Sequence, residues 1–151
     1  MRPLLASPIA LARLDIYTPI AYTSTCTLLA YTTPMELVEA PAFTRHVSDY
    51  LDDDAYRELQ NELTNNPELG DLMPGTGGFR KLRWADKRRG KGRRGGLRII
   101  YYYFLSDQQI WLMTLYDKNE ASDLTPREKK ALQAAIAAEL KMRETRRARK
   151  K

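Results

Sequence analysis

The side chains best suited to chemistry are basic residues between positions 79 and 98, where ten of them stand against one acidic residue. Alternation along a strand places Lys81 and Arg83 on one face, and Arg98 begins the next predicted strand. Arginine is permanently charged, and its forked N–H donors match the oxygens of a phosphate. Such an array can hold a phosphodiester and stabilise negative charge that develops on it.

The same residue types could support RNA cleavage by the substrate's own 2′-hydroxyl. That reaction needs a base, cations around the phosphorane and an acid for the departing 5′-oxygen. Lysine serves as the base when nearby cations favour its neutral form, and Arg80, Arg83 and Arg98 are candidates for that effect on Lys81. The alternative is that these residues position a phosphate without catalysis, and sequence spacing leaves both open.

Other familiar chemistries lack their residues. The glycines of residues 75–78 are not accompanied by the lysine and hydroxyl residue of a nucleotide-triphosphate loop. His46 is predicted to be a half-exposed helix residue. The carboxylates of residues 52–54 are predicted to stabilise the start of a helix and not to bind a metal. With Cys26 as its one cysteine, the chain has neither a disulfide framework nor a Cys-rich zinc site. We therefore expect no metal and no cofactor.

Charge is distributed in blocks along the chain. Residues 35–78 hold two basic and ten acidic side chains, whereas residues 125–151 hold ten basic and three acidic ones. Together with the basic block at 79–98, the basic C-terminal block favours a polyphosphate partner, because each neutralised phosphate releases counterions. The alternative is a solvated loop and a solubilising tail.

Three regions are predicted. Residues 1–34 contain four prolines and six threonines without helical or strand periodicity, which indicates a disordered extension or a true translation start at Met35. Residues 35–142 are predicted to form one domain. Residues 143–151 are predicted to form a basic tail, into which the last helix frays after Met142. No apolar run approaches the ~20 residues of a membrane span. The single cysteine fits a reducing, cytoplasmic location.

Helices are predicted on both sides of a strand-rich centre. Apolar spacing after Pro41 predicts a first helix, the acidic run at 52–54 opens a second, and residues 65–67 end it. Thr125 is predicted to cap a C-terminal helix through a capping box. The apolar face of that helix is assigned to Leu132, Ala135, Ile136 and Leu140.

Strands are predicted where side chains alternate or are rich in β-formers, around residues 37–38, 79–84, 97–105 and 110–116. The last three of these strands are predicted to form an antiparallel meander. The glycine- and arginine-rich residues 87–96 are predicted to form a mobile loop. Leu82, Trp84, Ile99 and Leu115 are assigned to the core. The outward face is then formed by Lys81, Arg83, Arg98, Tyr102 and Tyr116.

Four stretches of the sequence resemble one protein family. They are residues 78–84 (GFRKLRW), 96–102 (GLRIIYY), 115–120 (LYDKNE) and 123–125 (DLT). Together they are similar to the core of HigB-type toxins of the RelE/ParE superfamily, over about residues 35–140. The resemblance implies the α+β fold of these microbial RNases, in which a small antiparallel β-sheet carries two N-terminal helices packed on one face and a C-terminal helix.

The resemblance also implies a function, that of a toxin of a type II toxin–antitoxin system. Such toxins are ribosome-dependent mRNA endoribonucleases, or mRNA interferases, which inhibit translation without a metal and are restrained by an antitoxin, here expected to be a HigA-like helix-turn-helix protein. By position, Lys81 and Arg83 match the residues that contact and activate the substrate. Arg98 matches the arginine proposed to stabilise the transition state. Lys118 lies where related toxins have another functional cation. Tyr116 belongs to the motif of this subgroup and is included among the expected catalytic residues.

Contacts to RNA are expected from a wider group of side chains, namely Arg80, Arg88, Arg89, Arg93, Arg94, Tyr102 and Asn119. The chain lacks a counterpart of the C-terminal tyrosine that some RelE-type toxins use, and Tyr102 or Tyr116 could replace it, so the general base is left open. Two other functions remain as alternatives. One is a non-catalytic RNA- or ribosome-binding module, and the other is a gyrase-inhibiting ParE-like toxin with the same fold.

Overall fold

The computed structural model describes residues 19–20, 34–121 and 123–151, which form one mixed sheet and three α-helices. The strands are β1 (Pro19–Ile20), β2 (Glu36–Glu39), β3 (Asp71–Leu72), β4 (Arg80–Trp84), β5 (Leu97–Phe104) and β6 (Gln109–Asp117). The helices are α1 (Pro41–Tyr50), α2 (Asp53–Asn65) and α3 (Pro126–Arg149). The predicted α+β class is confirmed.

The strands lie in the order β1-β2-β6-β5-β4-β3. Strands β4, β5 and β6 form the predicted antiparallel meander. Strand β2 instead pairs in parallel with β6, so the sheet is not purely antiparallel. A four-residue strand carries little sequence signal for its partner, and here β2 extends the sheet beyond the meander on the β6 side.

The helices begin where their capping residues predicted. The side chain of Asp52 accepts a hydrogen bond from the Ala55 N–H at 2.7 Å, which confirms the capping role of the acidic run. Thr125 and Glu128 form the full capping box: the Glu128 N–H donates to the Thr125 hydroxyl, and the Thr125 N–H donates to the Glu128 carboxylate. Proline stands at the first turn of α1 and of α3.

Both faces of the sheet are covered. Helices α1 and α2 pack on one face through Phe43, Leu59 and Leu63, which meet Leu82 and Ile99 of the sheet. The predicted core side of the meander is therefore correct. Each fully buried leucine or phenylalanine contributes about 1.5–3 kcal/mol relative to leaving it in water.

Helix α3 packs on the opposite face, where Leu132 and Ile136 meet Phe79, Ile100 and Met113. The alternation of β4 and β5 thus separates two cores, one under each helical layer. The two N-terminal helices and the C-terminal helix lie on opposite faces of one sheet.

The prediction that the last helix frays after Met142 is wrong, because α3 continues to Arg149. Arg143 donates to Glu139 at 2.7 Å and to Asp107 at 2.6 Å, and its guanidinium lies 3.9 Å from the centre of the Phe104 ring. These contacts hold the basic end of the helix against the β5–β6 turn. Leu140, assigned to the apolar face, is 38% exposed.

The prediction of disorder for residues 1–34 falls outside the described residues, except at Pro19–Ile20 and Pro34. At Pro19–Ile20 the backbone pairs antiparallel with Leu37 and Val38 as β1. Among the helices that the structure describes, none is long and apolar enough to cross a bilayer.

Candidate nucleic-acid interface

The predicted basic face is assembled by strand register. Arg83 of β4 lies opposite Arg98 of β5, and Arg98 lies opposite Tyr116 of β6, so the three side chains form a row across the sheet. Lys81, two residues before Arg83, shares this face. The prediction that these residues share one face is confirmed.

The prediction that all of them point into solvent is wrong. Arg98 is 6% exposed and Tyr116 is fully buried, whereas Lys81 is half-buried and Arg83 is exposed. Tyr102 is half-buried as well, with its ring 5.2 Å from that of Phe79. The reason is that α3 and the segment before it lie across this face, which strand alternation cannot reveal.

Arg98 is used to hold the loop before β5. Its guanidinium donates to the backbone carbonyls of Arg93 at 3.3 Å, Arg94 at 3.0 Å and Leu97 at 3.2 Å. These bonds fix the backbone of the loop beside Arg83, the neighbour of Arg98 in register. Arg98 therefore positions other cations instead of presenting its own charge.

Several cations of the loop at residues 87–96, which was predicted to be mobile, bind the rest of the protein. Arg88 donates to the carbonyls of Ser48 at 3.0 Å and Asp49 at 2.6 Å, in the last turn of α1, where unpaired carbonyls favour a cation. Lys87 pairs with Glu58 of α2 at 2.7 Å.

Two buried carboxylates anchor the loop, and sequence reasoning missed both. Arg89 forms ion pairs with Asp117, which is fully buried, and with Asp86 at 3.6 Å. Lys91 adds a contact to Asp117 at 4.0 Å. The signal in the sequence was Asp86, the one acidic residue within the basic block at 79–98.

A glycine closes the loop onto the sheet. Gly96 is buried, and a Cβ at this position would lie 2.2 Å from the carbonyl oxygen of Trp84. Its own carbonyl accepts a hydrogen bond from the Lys118 N–H at 3.2 Å. The loop and the β6 end are thereby brought together.

The segments that meet here carry four exposed cations, namely Arg83, Arg93, Arg94 and Lys118. Within the described part of the chain, none of them forms an ion pair with a carboxylate. Arg93 also lies 5.7 Å from the centre of the Trp84 ring, which orients its guanidinium. This cluster, called the junction cations below, is the part of the predicted set that stays available to an anion.

Lys81 differs from the junction cations because it has an anionic partner. Its ammonium lies 3.3 Å from one carboxylate oxygen of Asp123, and Lys129 of α3 lies 3.0 Å from the other. Burial acts to raise the pKa of Asp123. This effect is outweighed by hydrogen bonds from Lys129 and the Leu124 N–H, and by the charge of Lys81. The pKa therefore lies below its ordinary value. Lys81 thus shares one carboxylate with a second cation, an arrangement suited to binding an anion.

Tyr116 lies under the basic row with its hydroxyl buried and, among the described residues, without a hydrogen-bond partner. The pKa of Tyr116 is raised to about 12, mainly by burial and also by the charge of Asp123, while the charge of Arg98 acts to lower it. A buried hydroxyl without a partner costs stability, so a role in function is one explanation of its presence.

Two of the residues expected to contact RNA lie elsewhere or act differently. Arg80 faces the α1–α2 side, where it donates to the carbonyl of Gly70 at 2.9 Å and pairs with Glu68 at 3.8 Å. Asn119 is exposed at the β6 end, and its backbone N–H donates to Asp117 at 3.0 Å. Arg80 is thus not part of the basic face.

No protein-family model matches this chain. Within residues 34–121 and 123–151, no three histidine, cysteine or acidic side chains are grouped in a way that could hold a metal ion. What the site offers is a set of fixed and exposed cations around a buried tyrosine, which can bind a phosphodiester and neutralise its charge.

Proposed function

We propose that this chain is a toxin of the RelE/HigB type that binds the ribosome in the cytoplasm and cleaves messenger RNA. The observation that supports this most is the register row of Arg83, Arg98 and Tyr116, since it joins the sequence motifs that resemble this family into one face. The surrounding junction cations give that face an excess of unpaired positive charge.

In the proposed reaction the 2′-oxygen of RNA attacks the adjacent phosphorus while the bond from phosphorus to the 5′-oxygen breaks. The 2′-hydroxyl gives up its proton to a base, and the departing 5′-oxygen receives one. Arg83 contacts the phosphate and stabilises the extra negative charge of the phosphorane, with Lys81 as its neighbour on the same face. No metal takes part in this step.

Arg98 has an indirect role in this proposal. Because it donates to the carbonyls of Arg93 and Arg94, it fixes the backbone of these two junction cations. Fixed geometry of this kind is what a catalytic cation requires.

The test is to incubate the purified full-length chain with translating ribosomes and map new mRNA ends by primer extension. We expect cuts within the coding region, and an Arg83→Gln variant that cuts roughly 100-fold more slowly, the scale for losing one preorganised donor. Arg57→Gln, an exposed arginine of α2, is the matched control and should cut at the wild-type rate.

Ribosome binding without new ends would instead support a non-catalytic binding module. Growth arrest without cuts, accompanied by loss of gyrase supercoiling activity, would support the ParE-like alternative.

The proposal includes an antitoxin that covers the basic face or blocks its access to the ribosome. Co-expression with an adjacent small reading frame should restore growth and yield a copurifying complex. Failure of every neighbouring protein to do either would remove the toxin–antitoxin part of the proposal.

A further inference from the structure

We infer that Lys81 and Lys129 form a second phosphate-binding subsite for RNA, and that the carboxylate of Asp123 occupies this subsite until a phosphodiester displaces it. The inference rests on the proposed function in taking RNA as the ligand. It adds Lys129, a residue of α3, to the binding face, and gives Asp123 the role of an internal competitor.

The geometry of the ion pairs is the first argument. One oxygen of Asp123 lies 3.3 Å from the Lys81 ammonium, and the other lies 3.0 Å from the Lys129 ammonium. A carboxylate that bridges two cations in this way presents its oxygens as a phosphodiester presents its two non-bridging oxygens. Two lysines held by separate elements are thus already placed to bind one anion.

Accessibility is the second argument. The side chain of Asp123 is 41% exposed, whereas those of Lys81 and Lys129 are 26% and 27% exposed. The side chain of Asp123 is therefore the most exposed of the three, so an incoming anion can reach the ion pairs from its side. A partly exposed ion pair contributes little net stability, so a polyanion can replace the carboxylate.

The buried hydroxyl of Tyr116 is a third and independent observation. It has no hydrogen-bond partner among the described residues, although Asp123 and Arg98 lie close enough for their charges to act on it. On β6, Thr114 pairs with Ile100 of β5, and Ile100 pairs with Lys81 of β4. Tyr116 lies two positions after Thr114. The charge of Asp123 thus acts on a buried donor that is unused among the described residues.

The experiment measures binding of a fluorescent RNA whose 2′-hydroxyls are methylated, so that it cannot be cleaved. Fluorescence anisotropy over a series of KCl concentrations gives the affinity and its salt dependence. Lys129→Gln should bind more weakly, with a salt slope smaller by about 0.7, the value for one lost phosphate contact on a single strand. The adjacent Lys130→Gln changes the same charge at an exposed position and should change both quantities less.

Asp123→Asn removes the competing charge while keeping the side-chain shape, and we expect it to bind the RNA more tightly than wild type. Asp53→Asn, an exposed carboxylate of α2, controls for the change in net charge. The gain from Asp123→Asn should shrink when Lys129→Gln is added, because both variants act on one subsite.

Equal loss of affinity in Lys129→Gln and Lys130→Gln would overturn the inference, since it would show only a general charge effect. Tighter binding by Asp53→Asn that equals that of Asp123→Asn would overturn it as well. If Asp123→Asn melts at a lower temperature than wild type, the comparison of RNA binding by Lys129→Gln and Lys130→Gln still tests the inference. The binding assay uses RNA that cannot be cleaved, so its result does not depend on cleavage. If the subsite binds RNA as expected but the primer-extension assay shows no mRNA cleavage, only the proposed function is rejected.

Discussion

At the scale of single residues, burial separates side chains that the sequence pattern treated as equal. Lys81, Arg83, Arg98 and Tyr116 share one face, yet only Arg83 is exposed. Arg98 donates to three loop carbonyls, which makes it a positioning residue. An Arg98 variant would thus disturb the loop as well as the charge of the face.

The two buried tyrosines of the sheet give the first prediction. The Tyr116 hydroxyl has no partner among the described residues, so Tyr116→Phe should not destabilise the protein and should raise its free energy of unfolding by about 1 kcal/mol. Tyr101 is equally buried, but its hydroxyl donates to the Pro67 carbonyl at 2.8 Å and accepts from the Gly70 N–H at 2.8 Å. Tyr101→Phe should therefore cost about 1–3 kcal/mol.

Urea unfolding of the two variants beside wild type checks both values. A loss of stability in Tyr116→Phe as large as that in Tyr101→Phe would mean that the Tyr116 hydroxyl is hydrogen-bonded in solution. If Tyr116→Phe is stable but cuts mRNA slowly, its hydroxyl is retained for function.

At the scale of elements, the loop of residues 87–96 divides into an anchored part and an exposed part. Arg88 and Arg89 bind α1 and Asp117, whereas Arg93 and Arg94 keep their charges free for an outside anion. The division follows from which neighbours each residue meets. Composition alone describes the whole loop as one charged segment.

This division predicts opposite effects for two double variants. Arg88→Ser with Arg89→Ser should lower the free energy of unfolding by about 2 kcal/mol, because the fully buried Asp117 loses its main partner. Arg93→Ser with Arg94→Ser should change it by no more than about 0.5 kcal/mol, yet flatten the salt dependence of RNA binding by about 0.7 per contact. Thermal melting and the anisotropy assay measure the two effects. Similar losses of stability in both pairs would refute the division.

The C-terminal end of α3 is the second element whose role the structure changed. Arg143 contacts Glu139, Asp107 and the Phe104 ring, so Arg143→Gln should cost about 2 kcal/mol through lost cation–π and ion-pair contacts. Lys141→Gln, at an exposed position of the same helix, should cost less than about 0.5 kcal/mol. Chemical denaturation of both variants tests this, and equal values would mean that the helix end does not pack in solution.

At the scale of the whole molecule, acidic and basic blocks of the chain meet in space. The acidic residues 35–78 supply Glu58 and the carbonyls of α1 that hold Lys87 and Arg88. One part of the basic block is thus used inside the protein. Other cations, the junction cations, are exposed and keep their charges free of carboxylate partners among the described residues.

Stability at alkaline pH is a property of the whole molecule because several buried tyrosines contribute to it. Burial raises the pKa of Tyr50, of Tyr56 and, to about 12, of Tyr116, whereas an unfolded tyrosine ionises near pH ~10. As pH rises through 10 to 12, the unfolded chain loses protons that the folded chain keeps, so the stability present below pH ~10 declines across this window.

Urea unfolding between pH 8 and pH 11 should show this decline, with ultraviolet absorbance following tyrosinate formation. Tyr116→Phe removes one titrating group and should make the decline shallower. A stability that stays constant up to pH 11 would contradict the predicted burial of these hydroxyls.

The sequence by itself determined where the three helices begin and which strands form the antiparallel meander. Capping residues such as Asp52 and Thr125 fix helix starts through bonds to neighbours three positions away, and alternation fixes which strand residues share a face. These are local interactions, so the sequence carries them. The resemblance of the motifs to one family stays a prediction.

Only the tertiary structure decided which of those residues remain available to a partner. Helix α3 crosses the basic face and buries Tyr116, and Arg98 is turned toward loop carbonyls. The loop finds Asp117 and the end of α1, which lie 28 to 40 positions away in sequence. Such contacts depend on elements brought together by folding, and no spacing along the chain encodes them.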